Sequence, residues 1–191
     1  MVFLVLQCNS ALLWAQTEPE EIKLDTDQFQ EFFYESLLQK GIENYDKAIV
    51  ALEKAMKIKP NDATVYYELG KNYLALKEYK NAYNSFESAT KIDPKNKWFW
   101  IGMYDVSYET KNFTQGITVI NKLIEFDPKY KEDLTSLYMG TNQFEKALVL
   151  IQELDETYGK TDRRELYKNQ ILSQGKFQNI EITNLEHLII K

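Results

Sequence analysis

Tyr45, Tyr79 and Phe113 recur at an interval of 34 residues, as do Ala48, Ala82 and Gly116, and as do Pro60, Pro94 and Pro128. Three columns sharing one period mark a tandem array of small supersecondary units. Such a unit cannot bury its apolar side alone and must stack on its neighbours. Phe144 and Ala147 continue the first two columns after a step of 31, so that unit has lost about one helical turn, and Phe177 follows 33 residues later. The period decides the architecture before any single residue does.

The units are helical. In YYELGKNYLAL and NAYNSFESATKI the apolar side chains fall three and four residues apart, which gives each helix one buried stripe. No segment alternates like a strand. Only 7 Gly and 4 Pro punctuate 191 residues, too few for an architecture of strands and turns. The tripeptides IKP, IDP and FDP end one helix per period, because proline lacks an amide donor and clashes with the preceding turn.

Tyr66, Leu69, Gly70 and Tyr73, followed by Tyr79, Ala82, Phe86, Ala89 and Pro94, resemble the pattern of the tetratricopeptide-repeat (TPR) family, with Tyr in place of its usual first Trp. The resemblance implies an all-α fold, a right-handed α-solenoid of about five antiparallel helix hairpins. The array would cover 27–191, with units at about 29–60, 61–94, 95–128, 129–159 and 160–191. Gly70 and Ala82 are expected to let paired helices approach, and Tyr73 and Phe86 to fill the space between hairpins. The third unit has Tyr104 where the family expects a small residue and Gly116 where it expects Ala, which reads as one compensated swap. The first unit has Phe32 and Ser36 in register, but Glu35 and Gln39 replace Leu and Tyr, in keeping with a terminal unit. FEKALVLIQEL and KFQNIEITNLEHL mark the fourth and fifth.

The ends read differently. Met1 to Ala15 carry no charge, and a polar, acidic stretch follows over 16–26. We read 1–15 as a signal peptide and 16–26 as a linker, placing the protein outside the cytoplasm in a bacterium, in the periplasm or at the cell surface. The alternative is a retained amphipathic helix on a cytoplasmic protein. Fifteen residues fall short of the roughly 20 apolar residues that cross a bilayer. The sequence stops after Leu185, Leu188, Ile189 and Ile190, so either the array continues or 177–190 is a surface for homo-association.

Chemistry-bearing sets are sparse. Cys8 is the only cysteine and His187 the only histidine, which leaves no thiol–imidazole pair and no His/Cys cluster for zinc. The S-x-x-K spelling of Ser173 to Lys176 lacks its partner motifs, and the Asn112–Phe113–Thr114 sequon includes a packing aromatic of the repeat. No catalytic residue, metal or small-molecule cofactor is expected. A net charge of −6 with scattered lysines argues against nucleic acid as a partner.

The resemblance also implies where a partner would sit. In this family the concave groove is lined by the first helix of each hairpin. That register gives Phe33, Leu37 and Lys40, then Thr64, Tyr67, Lys71 and Leu74, then Trp98, Ile101, Asp105 and Tyr108. The family's carboxylate clamp requires cations where this chain has Tyr67 and Gly102, so that class is rejected. An aromatic, apolar groove suits an extended peptide or an amphipathic helix. The expected function is a scaffold for protein partners, in assembly of an exported or envelope complex. Two alternatives remain: an N-terminal module of a longer enzyme or sensor, and a self-associating structural protein.

Overall fold

The structure is a computed structural model that describes residues 18–173, with side chains from residue 26 onward. The leader at 1–15, Cys8, His187 and the segment 177–190 lie outside the described residues. Nine α-helices make up the described chain: α1 Glu18–Gly41, α2 Tyr45–Ile58, α3 Ala63–Ala75, α4 Tyr79–Ile92, α5 Lys97–Glu109, α6 Phe113–Phe126, α7 Lys131–Gly140, α8 Phe144–Tyr158 and α9 Asp162–Ser173. A 3-10 turn, Pro128–Tyr130, precedes α7. The fold is therefore all-α and built of helix hairpins, as the period requires. Helix α1 begins at Glu18 and takes in most of the acidic stretch expected to be a linker. That stretch, EPEEIKLDT, contains good helix formers, with proline in the first turn where its missing donor is tolerated.

The described residues fall into two compact units, one ending at Asp93 and the other beginning at Pro94. In the first, α1 pairs with α2 and α3 with α4, and α2 packs on α3. Its core holds Leu52, Ala55, Val65 and Leu69, flanked by Phe29, Phe32, Phe33, Met56, Tyr66 and Tyr73. In the second, α5 pairs with α6 and α7 with α8, while α6 packs on α7 and α8 on α9. Phe144, Ala147, Leu148 and Ile171 form a cluster there, joined by Tyr138, Met139 and Leu172.

Each hairpin turns on one residue with left-handed backbone: Glu43 (φ 60°), Lys77 (φ 60°), Lys111 (φ 54°) and Asn142 (φ 56°). The turns share a pair of backbone bonds. In the second hairpin the Lys77 amide donates to the Leu74 carbonyl at 2.9 Å and the Glu78 amide to that of Tyr73 at 2.8 Å. The others repeat this at Lys111/Asn112, Asn142/Gln143 and Glu43/Asn44. These bonds satisfy carbonyls that the ending helix leaves open.

The prolines act as expected: α2, α4 and α6 end at Ile58, Ile92 and Phe126, two residues before Pro60, Pro94 and Pro128. Two residues after Pro60 and Pro94, Asp62 and Asn96 cap the next helix. Asp62 Oδ1 accepts from the Thr64 amide (2.9 Å) and the Val65 amide (3.2 Å). Asn96 Oδ1 accepts from the Trp98 amide (3.1 Å). After Pro128 the chain instead makes its 3-10 turn. Helix α7 keeps 10 residues where α3 and α5 have 13, and this is where the missing turn of the fourth unit lies.

Two glycine expectations resolve differently. A Cβ on Gly70 would lie 2.6 Å from Phe86 Cε1, so Gly70 makes room for an aromatic ring. A Cβ on Gly116 would meet Leu137 at 3.3 Å, with Ser107 Cβ at 3.8 Å. The space beside Gly116 thus belongs to Leu137 of α7, and the compensated swap with Tyr104 does not occur.

Candidate functional site

In the first unit, two residues of the expected groove, Lys40 of α1 and Lys71 of α3, meet on one carboxylate. Glu68 is 7% exposed, and its carboxylate accepts from Lys40 Nζ at 2.6 Å and from Lys71 Nζ through its other oxygen. A carboxylate this buried needs cations to offset its desolvation, and here it has two. The consequences differ for the two lysines. For Lys40, burial opposes the charge but the Glu68 contact outweighs it, raising its pKa. For Lys71, burial prevails over Glu68 with Lys40 adding repulsion, lowering its pKa.

Tyr67 lies between packing and groove. Its ring sits 5.7 Å from Phe86, tilted by 53°, while Lys71 Nζ stands 4.5 Å from its centroid. Phe33 stacks on Phe29 with centroids 6.0 Å apart and packs against the core. Leu37 and Leu74 are half-buried, and Thr64 is exposed. The first unit's face is thus partly spent on internal packing.

The second unit's face is more open. On α5, Trp98 is 55% exposed and Tyr108 65% exposed, with Ile101 half-buried and Asp105 exposed between them. Around them stand groups that the register did not select: Tyr104 of α5, Tyr130 of the 3-10 turn, Asp133 and Ser136 of α7, and Arg163 and Tyr167 of α9. Arg163 Nη2 donates to Ser136 Oγ at 2.7 Å, and the Tyr167 hydroxyl donates to the same oxygen at 3.2 Å. Arg163 Nε donates to the Tyr167 hydroxyl at 3.3 Å. Ser136 was findable in the sequence: counted back from the repeat aromatic Phe144 it stands where Lys71 stands from Tyr79. The forward count from Pro128 misses it because of the shortened helix.

The electrostatics tie these groups together. Burial pushes the Tyr104 phenol up to about 12, with Asp133, Tyr108 and Asp105 adding to it. Burial likewise raises Tyr130, helped by Asp127, Asp133 and Asp105. Asp105 is raised by burial and then by Glu109. Asp133 is raised because burial and Glu132 outweigh the attraction of Arg163. Arg163 is itself raised, first by its bond to Tyr167. Below this face, Arg164 is 1% exposed; its Nε donates to Asp155 Oδ1 at 2.6 Å, and its Nη atoms reach Glu132 and the Gly159 carbonyl.

Two open clefts lie elsewhere. One of about 260 Å³ is lined by Leu69, Tyr73, Asn81, Asn84 and Ser85, and one of about 380 Å³ by Leu134, Tyr138, Lys146, Val149 and Leu150. Measured from Lys77 and Asn142, the two linings occupy the same register, so both are products of hairpin geometry. Leucine and tyrosine recur at two of these positions, while Asn81, Asn84 and Ser85 give way to Lys146, Val149 and Leu150, so the polar chemistry of the two clefts is not shared. Among the described residues, no group of three or more His, Cys, Asp or Glu could hold a metal ion, and no helix is long and apolar enough to cross a membrane.

Comparison with known proteins agrees with the hairpins. The TPR repeat family model matches residues 42–76, and the tetratricopeptide repeat family model matches 73–137. The human protein O-mannosyl-transferase TMTC1 is 26% identical over 122 residues, covering 60% of this chain and 13% of that protein. Tetratricopeptide repeat protein 37 of Xenopus laevis is 32% identical over 93 residues, covering 44% of this chain and 6% of that protein. The chain therefore spans only a small part of the curated relatives it matches. Among solved structures, YrrB, described as a TPR protein with an unusual peptide-binding site, superposes with a TM-score of 0.64 at 15% identity, covering 86% of this chain and 87% of that one. MamA from Desulfovibrio magneticus RS-1 gives 0.63 at 17% identity, covering 85% and 92%. At such identities the likeness shows the fold, that of TPR solenoids. With two repeat models spanning 42–137, the chain belongs to the tetratricopeptide-repeat family.

Proposed function

We propose that this protein is a non-catalytic scaffold that holds a partner polypeptide on the face of α5 and α7, the first helices of the hairpins in its second unit. The TPR fold typically mediates protein–protein interaction, and the solved relatives include one bound to a peptide and one described by its peptide-binding site. The observation that carries the reading is the exposure of Trp98 and Tyr108 on one helix with Ile101 between them. Large aromatics left in water on a rigid face are the usual anchors of interfaces. The uncharged stretch at 1–15 supports a place for this scaffold in an exported or envelope complex.

The test is affinity capture with the full chain against Trp98→Ala/Tyr108→Ala and against Val50→Ala, an exposed control on α2. Loss of specific partners only in the aromatic double variant supports the reading. Retention of every partner by that variant overturns it.

A further inference from the structure

The repeats allow one hairpin to be read against another within the same chain. In the first unit, Glu68 sits beside the Tyr67 ring and takes its cations from Lys40 and Lys71. Counted from the left-handed turn residue, Asp133 of α7 occupies the register of Glu68, and Ser136 that of Lys71. In the hairpin between, Asp105 itself stands where Lys71 stands, one period later. At these four positions the second unit has Gly102, Asp105, Asp133 and Ser136, so it carries two carboxylates and neither lysine. Neither Asp105 nor Asp133 makes a hydrogen bond or ion pair among the described residues, unlike Glu68, Glu87, Glu125, Glu132, Glu153 and Asp155. The nearby cation, Arg163, is turned to Ser136 and Tyr167.

The Trp98 ring, on the same helix as Asp105, has a cation over it. Lys97 Nζ stands 5.3 Å from the Trp98 centroid, so the face of that indole already receives an ammonium group. Glu109, at the end of α5, adds to the negative field. An acidic surface with exposed aromatics complements a chain that carries positive charges on apolar stems, and lysine and arginine present both.

Building on the scaffold reading above, we propose that the α5–α7 face of the second unit docks a basic polypeptide segment. Asp105 and Asp133 receive its lysine or arginine head groups, and Trp98 and Tyr108 cover its apolar stems. The ligand would then supply the cations that Lys40 and Lys71 supply to Glu68 in the first unit. Both carboxyls are raised from the ordinary 3.8, although Asp105 is exposed and Asp133 only half-buried, and an arriving cation would favour their charged form.

The probes are a fluorescein-labelled decapeptide of alternating leucine and arginine and its twin with glutamate at every arginine, titrated into the full chain by anisotropy. The arginine peptide is expected to bind at least tenfold more tightly than its twin. Asp105→Asn/Asp133→Asn should weaken it at least fivefold, with helicity by circular dichroism unchanged. Asp46→Asn/Glu145→Gln, which removes the same charge from exposed positions on α2 and α8, should weaken it less than twofold. Equal weakening by the two double variants would mean attraction to net charge alone and would overturn the proposal. So would equal binding of the two peptides; if that binding still fell on Trp98→Ala, the groove reading would survive without the basic ligand. If neither peptide bound, the proposal would fall, and the scaffold reading would rest on the capture experiment.

Discussion

Gly70 and Phe86 are a fitted pair: the ring of one occupies the volume in which the other would carry a side chain, with Cε1 2.6 Å from the missing Cβ. Phe86 is 1% exposed and also touches Tyr67, so it has no free direction in which to withdraw. Gly70→Ala gains about 1 kcal/mol of helix propensity but overpacks the site at about 1–3 kcal/mol, and the second effect is expected to win. Urea unfolding should show a lower midpoint. Adding Phe86→Leu to Gly70→Ala should recover part of the loss, a coupling that independent sites would not show.

The left-handed turns offer a gain. Lys77 and Lys111 hold φ near +60° and +54°, where an L side chain costs about 1–2 kcal/mol and glycine none. After the extra flexibility that glycine adds to the unfolded chain, Lys77→Gly or Lys111→Gly should stabilise by about 0.5–1 kcal/mol. Lys111→Val should destabilise. Thermal melts of the three variants check the order.

Arg164 makes a third case. Its guanidinium is buried against Asp155, Glu132 and the Gly159 carbonyl, so truncation leaves carboxylates without their cation. Arg164→Ala is expected to cost about 3–5 kcal/mol. Arg164→Lys should recover little, since an ammonium group cannot reach three separate acceptors in a fixed fork. Hydrogen exchange should show α9 losing protection first.

Asp105 and Asp133 predict a pH dependence. Both carboxyls are raised in the fold relative to the ordinary 3.8, so the folded state binds their protons more tightly than the unfolded chain does. Stability from these two groups is therefore present at low pH and lost as pH rises through the folded values. Asp105→Asn/Asp133→Asn should melt above the parent at pH 7. The gap should close as pH falls below 3.8. A gap that widened on acidification would contradict the assignment.

The architecture was legible because three side-chain columns share a period, and proline, alanine and aromatic residues cannot easily be exchanged where they pack. The turn column was not legible. Glu43, Lys77, Lys111 and Asn142 have no side chain in common, since the turn is held by backbone bonds that any residue can make. The site was half legible. Lys40, Lys71, Trp98 and Tyr108 follow from register, but the pairing of both lysines with Glu68 depends on how α1 lies on α3, which spacing along one helix does not encode. Asp133 was missed because it holds the register of Glu68, which is not a groove position, and Arg163 because the groove register was carried only through the third unit.

That shortening has a bearing on how a partner is read. Backbone positions that recur every 34 residues offer a ligand equivalent places one period apart, although the side chains at those places differ. Helix α7 is three residues shorter than α5, about 4.5 Å of rise, and a 3-10 turn stands before it. Translational symmetry is broken at that point. A segment laid along the second unit has one phase in which its side chains meet the face, so the lost turn acts as an index mark on an otherwise uniform ruler.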